Sequence, residues 1–330
     1  MVDRIAVLGA GAWGSALAKV LGDNQHEVRL WARDADHVQA MVIDRENRRH
    51  LPGCPLPDTI EPTADFAAAI TGSDWILVAT PSVAFRATIR RLAPFRPQRV
   101  AWATKGLDAD SGGFLHGIVE QEITPEPQIA VLSGPTFAAE VGQGLPAAMT
   151  VAASSDDFAA QMVDAFHCER FRLYTNPDMV GVELGGAVKN VLAVATGVSD
   201  GMGLGANARA ALVTRGMAEI TRLGAALGAD PRTLIGLAGL GDLLLTCTDD
   251  QSRNRRFGLA LGRGAAIDEA LEVVGSTVEG ARTAAELYSL AARYAIEMPI
   301  CSCVYRLVSG AIDPARAVTE LMERTPKAEV

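Results

Sequence analysis

The chain has 330 residues, 49% hydrophobic and 21% charged, with 32 glycines, a 5% aromatic share and a formal net charge of -9. That length fits about two domains with ample core material, and the acidic balance argues against a nucleic-acid-binding or membrane-surface protein. An anionic ligand would have to be drawn by a local basic cluster, and the scattered Cys54, Cys168, Cys247, Cys301 and Cys303 read as reduced thiols of a cytosolic protein.

The N-terminal stretch MVDRIAVLGAG lacks the pattern of a secretory signal. No apolar run is read as reaching the roughly 18 residues that span a bilayer, and the stretch around Lys189 is taken as too short and too glycine-rich for that. Strands are predicted at Arg4–Leu8, Glu27–Trp31, Trp75–Ala79, Arg99–Ala103, Gln128–Leu132, Ala148–Ala153 and Phe171–Tyr174. Between them lie helical patterns such as Gly14–Leu21 and Ser82–Leu92. Apolar runs such as WILVA suit strands buried on both faces, and the alternation predicts a doubly wound α/β sheet.

Beyond about residue 177 strands stop and Ala/Leu/Gly helices follow, at Met179–Val198, Ala206–Leu227, Thr277–Tyr294 and Cys301–Gly310. We therefore expect a Rossmann-type dinucleotide-binding domain over 1–177 and an all-helical substrate and catalytic domain over 178–330. With no flexible linker, close packing around a cleft is expected. Cys301 and Cys303 could bind metal or meet oxidants; the plainer reading is two faces of a helix. The proline-rich His50–Pro62 segment has no role that follows from its residues.

Gly9-Ala10-Gly11-Ala12-Trp13-Gly14 fits G-x-G-x-x-G directly after the first strand and at the start of a helix, the context that gives this pattern weight. Gly9 suits the tight turn, Gly11 the close approach of a pyrophosphate, and Gly14 helix-on-strand packing, with the helix N-terminus facing the negative charge. After the second strand comes Arg33, suited to the extra phosphate of NADPH, or else a solvated strand end; the neighbouring Asp34 keeps NADH possible.

Two further polar, glycine-rich stretches follow strands, where ligands sit in open α/β sheets. One contains Lys105 and Gly106. The other, Ser133-Gly134-Pro135-Thr136, is expected to start a helix and offer free backbone N–H groups.

Lys189 is the one ionisable residue between Leu184 and Ser199. Burying an unpaired ammonium is costly, so either it snorkels to water or it marks a site. A desolvated lysine could protonate the oxygen formed when a cofactor hydride reaches a ketone. Asp242, after Gly239-Leu240-Gly241, could hydrogen-bond Lys189 or a substrate hydroxyl, or simply cap a helix. Ser252, Arg253 and Asn254 resemble a phosphate cradle, unless SRNRR is a solvated face balancing Asp249 and Asp250. The five histidines show no metal spacing.

Taken together, GAGAWG, LWARD, WATKGL, SGPTFAAE, ELGGAVKN, GANARAAL, GLGDLLLTC, QSRNRRFG and VEG resemble the bacterial NAD(P)-dependent glycerol-3-phosphate dehydrogenase family over nearly the whole chain. The resemblance implies NADPH- or NADH-dependent reduction of dihydroxyacetone phosphate to sn-glycerol 3-phosphate, a glycerophospholipid precursor, with Lys189 as proton donor or acceptor and Asp242 beside it. It implies substrate contacts at Lys105, Gly134, Thr136, Asp242, Ser252, Arg253 and Asn254, and cofactor contacts at Trp13, Arg33, Lys105, Ala138, Arg253 and Glu279. Family members are cytoplasmic and commonly dimeric. Ala12 departs from the serine that relatives often carry, which removes one hydroxyl contact to the pyrophosphate. Gly185 and Gly186 are expected to make room for cofactor and substrate. The rival readings are a 3-hydroxyacid dehydrogenase of the 6-phosphogluconate dehydrogenase type and a non-catalytic NADPH sensor.

Overall fold

The computed structural model describes residues 2–275 and 278–325. Eight strands form one sheet: β1 (Arg4–Leu8), β2 (Glu27–Trp31), β3 (Ile60–Thr63), β4 (Trp75–Val78), β5 (Arg99–Trp102), β6 (Gln128–Ser133), β7 (Ala147–Ala153) and β8 (Phe171–Asn176). Their order is β3-β2-β1-β4-β5-β6-β7-β8. Every pairing is parallel except β6 with β7. The seven expected strands form, β1 and β2 with the expected bounds and the other five with ends displaced by one or two residues, as helix and strand ends commonly are.

The unexpected strand is β3. Its sequence, IEPT, is short, carries a charge and holds a proline, so nothing in its pattern signals a strand. It forms at the sheet edge, paired only with β2, and an edge tolerates Pro62 because no ladder N–H is needed on the outer side. The proline-rich segment before it contributes Leu51, Cys54, Leu56 and Ile60 to the core.

Two compact units divide at Glu183/Leu184, inside the helix Met179–Gly201. In the first, all-apolar strands such as Trp75–Val78 are buried and pack with Leu17, Leu21, Phe158 and Phe166. The first unit also includes the opening turns of that helix. There the buried Glu183 accepts hydrogen bonds from Trp102 Nε1 at 3.2 Å and His116 N at 3.2 Å, with His116 Nδ1 at 2.5 Å. Phe114 stacks on the His116 ring.

The second unit is helical among its described residues. Gly197 and Gly201 face Gly258 and Gly262 on the helix Arg253–Gly262, and a Cβ on any of the four would collide with a backbone carbonyl of the opposite helix. Missing side chains thus allow two backbones to touch, a contact absent from the expected element pattern. Cys301 and Cys303 are both buried in the helix Pro299–Val308. Burial pushes both thiols up, away from the reactive thiolate.

The helix Met179–Gly201 is longer than expected. By length and composition its 23 residues could cross a membrane, contrary to the reading of that stretch as too short; 83% of its apolar window is nevertheless buried in the fold, the mark of a core helix.

Candidate active site

In the first unit the candidate residues gather where β1, β4, β5 and β6 end. Strand order reverses at β1, which lies between β2 and β4, and such a switch point is where open α/β sheets bind ligands. Gly9 has φ +122°, and a Cβ there would stand 2.9 Å from the Ala79 carbonyl. Only glycine meets both demands. Gly14 lets the helix Ala12–Asp23 close onto Gly9 and Ala79.

Gly11 differs: a Cβ there would meet nothing within 4 Å. It is the helix N-cap, with no side-chain cap and no acidic residue in the first turn among the described residues. Bare N–H groups therefore open onto free space, as a pyrophosphate needs. Ala12 supplies no hydroxyl, and Trp13 has a buried indole N–H without a protein partner among the described residues. Asn47, not singled out from sequence, secures the loop by donating to Ala10 O at 2.9 Å and Ser15 Oγ at 2.7 Å. Its distance along the chain hid this role. These features fit a dinucleotide.

Arg33 is exposed just beyond β2. The neighbouring Asp34 caps the helix Ala35–Asp44, accepting from Asp36 N at 3.1 Å and His37 N at 3.2 Å, and pairs with Arg49 at 3.0 Å. The His37 N–H, with help from Arg49, holds the Asp34 carboxyl below its ordinary range. That carboxylate is already engaged, which weakens its claim on a ribose hydroxyl and favours Arg33 with a ribose phosphate.

Beyond β5, Lys105 Nζ donates to Gly134 O at 3.1 Å, and Thr136 Oγ1 donates to the same carbonyl at 3.3 Å. Gly134 is bare because a Cβ would lie 2.8 Å from Met149 Cα on β7. The helix expected at Pro135 starts later: Phe137 is its N-cap and Ala138 its first residue. Gly134, Pro135 and Thr136 therefore lie in the loop between β6 and that short helix. The Lys105 loop is held by Asp108, which accepts from Arg86 Nη2 at 2.7 Å and Ser111 Oγ at 2.6 Å. Burial would raise the Asp108 carboxyl, but these bonds outweigh it and hold it at about 2.

In the second unit Lys189 is 8% exposed and its Nζ stands 2.5 Å from Oδ1 of the fully buried Asp242. A buried ion pair survives only with good geometry and further hydrogen bonds. Thr246 Oγ1, 3.3 Å from the same oxygen and 2.6 Å from Asp242 O, adds one. Thr246 was not picked out from sequence, although its position one turn after Asp242 is the available signal. Asp242 opens the helix Asp242–Thr248, whose N-cap is Gly241.

Gly185 corrects the expectation of room for ligands. A Cβ there would lie 2.5 Å from Ala238 O and 2.9 Å from Gly239 Cα. The bare glycine instead admits the π-turn Leu237–Gly241. One helical turn later, Lys189 meets Asp242 at the end of that same π-turn.

The SRNRR stretch divides by helical face. Ser252 caps the helix Arg253–Gly262 by accepting from Arg255 N at 3.2 Å. Arg253 and Arg256 are exposed. Arg255 is buried, bonded to Asp200, to Asp250 at 2.9 Å and to Cys247 O at 3.3 Å. It therefore serves internal charge balance, not an anion cradle. Asn254 is also buried and bonded to Asn190 and Gly280. Glu279 opens the helix Glu279–Arg293; the Thr277 start expected for it lies outside the described residues.

Comparisons with known proteins agree over both halves. Residues 4–159 match the family model described as NAD-dependent glycerol-3-phosphate dehydrogenase N-terminus, and residues 178–319 match that for the C-terminus. The chain is 69% identical over 329 residues to a glycerol-3-phosphate dehydrogenase (NAD(P)+) of Halorhodospira halophila, covering 100% of this chain and 99% of that protein. It is 59% identical over 322 residues to the protein of the same name from Alkalilimnicola ehrlichii, covering 97% of each. The crystal structure of glycerol-3-phosphate dehydrogenase from Coxiella burnetii superposes with a TM-score of 0.94 at 47% identity, covering 98% of this chain and 99% of that one. A ketopantoate reductase family structure from Ralstonia eutropha, at 17% identity and a TM-score of 0.61, shares the fold alone. With both halves matched and relatives aligned along its full length, the chain belongs to the NAD-dependent glycerol-3-phosphate dehydrogenase family.

Proposed function

We propose that this enzyme reduces dihydroxyacetone phosphate to sn-glycerol 3-phosphate, reversibly, with NADPH as reductant and NADH as an alternative. The observation that carries the reading is the buried Lys189–Asp242 pair. A nicotinamide cofactor held at the glycine loop would supply the hydride for the ketone carbon. Lys189 Nζ gives a proton to the ketone oxygen and takes it back in the reverse direction, a step of general acid–base catalysis worth about 10²–10⁴ in rate. Asp242 holds the ammonium in place, and Thr246 holds Asp242.

Gly9, Gly11, Ala12, Trp13 and Gly14 would hold the pyrophosphate end of the cofactor, Arg33 its ribose phosphate, and Ala138, Arg253 and Glu279 the rest. Lys105, Gly134, Thr136, Ser252, Arg253 and Asn254 would surround the substrate. The exposed Arg253 supports capture of a phosphate by a charge-assisted fork. Residues 1–177 would form the cofactor domain and 178–330 the substrate and catalytic domain. The product would feed glycerophospholipid synthesis, in the cytoplasm, from a homodimer without stable membrane association.

The test is NADPH oxidation, followed by nicotinamide absorbance, with dihydroxyacetone phosphate and then with unphosphorylated dihydroxyacetone. Rapid turnover of the phosphorylated ketone alone is expected. Turnover of 3-hydroxyacids instead, or NADPH binding with no ketone reduced, would overturn the reading.

A further inference from the structure

Three helices of the second unit meet at one buried guanidinium. Arg255 lies in the helix Arg253–Gly262, and its side chain is 8% exposed. It donates to Asp200, near the end of the helix Met179–Gly201 that carries Lys189. It donates at 3.3 Å to the carbonyl of Cys247, in the helix that opens on Asp242. Its Nε donates at 2.9 Å to Asp250, in the turn between that helix and its own. Its backbone N–H donates at 3.2 Å to Ser252 Oγ, the cap just before Arg253.

The turn over 248–252 also has bonds of its own, from Gln251 N to Asp249 Oδ1 at 2.8 Å and from Ser252 N to Asp249 O at 3.2 Å. Those bonds shape the turn but do not place it. The bonds through Arg255 place it, against the two helices that bring Lys189 and Asp242 together. Asp200 is steadied from another side by Arg209, at 2.8 Å, from the helix Gly205–Leu227. Gly197 leaves no room for a Cβ beside Arg255 O, so the two helix backbones touch at this crossing. A planar guanidinium suits the task, because its fork meets several acceptors at fixed angles, whereas a lysine ammonium is a point charge on a flexible stem.

We propose that Arg255 is a positioning residue: it sets the span between the Lys189–Asp242 pair, which handles the proton, and Arg253, which grips the substrate phosphate. The inference rests on the reductase reading above and gives Arg255 a part beyond internal charge balance. A phosphorylated ketone is held at both ends. The span then decides whether its carbonyl reaches Lys189 while its phosphate meets Arg253. A ketone without the phosphate is held at one end only and does not feel the span. Misplacement by about 1 Å near reacting groups can cost about 10²-fold in rate.

The test reads the preference for the phosphorylated ketone: the ratio of kcat/KM for dihydroxyacetone phosphate to that for dihydroxyacetone. Arg255→Lys keeps the charge and loses the fork, and should lower this ratio at least about tenfold. Asp250→Ala removes one of the acceptors and should lower it as well, by a smaller factor. A loss of folded protein alone would lower both rates together and leave the ratio in place. Melting temperature and NADPH binding report folding, and Asp250→Ala, at a carboxylate 69% exposed, carries the test if Arg255→Lys fails to fold. If Arg255 acted only through the field of its charge, Arg255→Lys would keep the preference, and Asp250→Ala, which removes an anion, would raise it. Either result would overturn the proposal while leaving the reductase reading intact. If the wild-type enzyme reduces neither ketone, that reading falls and takes this inference with it.

Discussion

Replacing Gly185 by alanine should damage catalysis from a position that need not touch any ligand. The added Cβ would lie 2.5 Å from Ala238 O, whereas ordinary contact begins near 3.4 Å, so something must move by about 0.9 Å. Neither side gives easily, because both are backbone: one in the helix Met179–Gly201, the other in the π-turn Leu237–Gly241. Overpacking of this kind costs about 1–3 kcal/mol. The π-turn leads directly into Asp242, so its displacement would stretch the 2.5 Å bond to Lys189. Misplacement by about 1 Å near reacting groups can cost about 10²-fold. Gly185→Ala should therefore melt several degrees lower and lose about 10²-fold in kcat, while NADPH binding, measured by nicotinamide fluorescence, is retained. Wild-type kcat in a variant with a lowered melting temperature would refute the link from Gly185 to the lysine through the π-turn. Unchanged melting would refute the packing argument itself.

Three other substitutions probe separate parts of the enzyme. Lys189→Ala should abolish turnover and leave NADPH bound; it should also lower the melting temperature, because Asp242 is left buried without its counter-charge, and near-normal turnover would remove Lys189 from the mechanism. Arg253→Ala should raise KM for dihydroxyacetone phosphate, since a charge-assisted hydrogen bond is worth about 1.5–3 kcal/mol; unchanged kinetics would place phosphate recognition elsewhere. His116→Gln tests the Glu183 anchor through pH. Burial pulls the His116 imidazole down from 6.5, but its hydrogen bond to Glu183 and the charges of Glu183 and Glu120 outweigh it, so the folded value is raised. A raised folded value stabilises fully below 6.5 and loses that contribution as pH rises through it. The melting gap between wild type and His116→Gln should thus be wider at low pH, and an equal gap at about pH 6 and 9 would count against a charged His116.

The parts of the fold legible in the sequence are those whose cause is local. WILV reads as a buried strand because four consecutive apolar residues need cover on both faces, and GAGAWG reads as a phosphate loop because its glycines are spaced for one turn and one helix start. β3 was not legible because IEPT owes its strand form to the free edge of β2, a partner about 30 residues away. The same limit applies to SRNRR. As a string it is a run of basic and polar side chains; as a helix it puts Arg253 and Arg256, three residues apart, on an exposed face and turns Asn254 and Arg255 inward. Asp250 was close enough in sequence to hint at the partner of Arg255, but Asp200 lies 55 residues away. Asn254 shows the consequence for function. Its residue type and neighbours suit phosphate binding, and its protein partners, Asn190 and Gly280, are brought to it only when three helices meet. A motif therefore locates an active site more securely than it assigns work within it: the residue types set what each side chain can do, and the long-range contacts decide which of those options remain open.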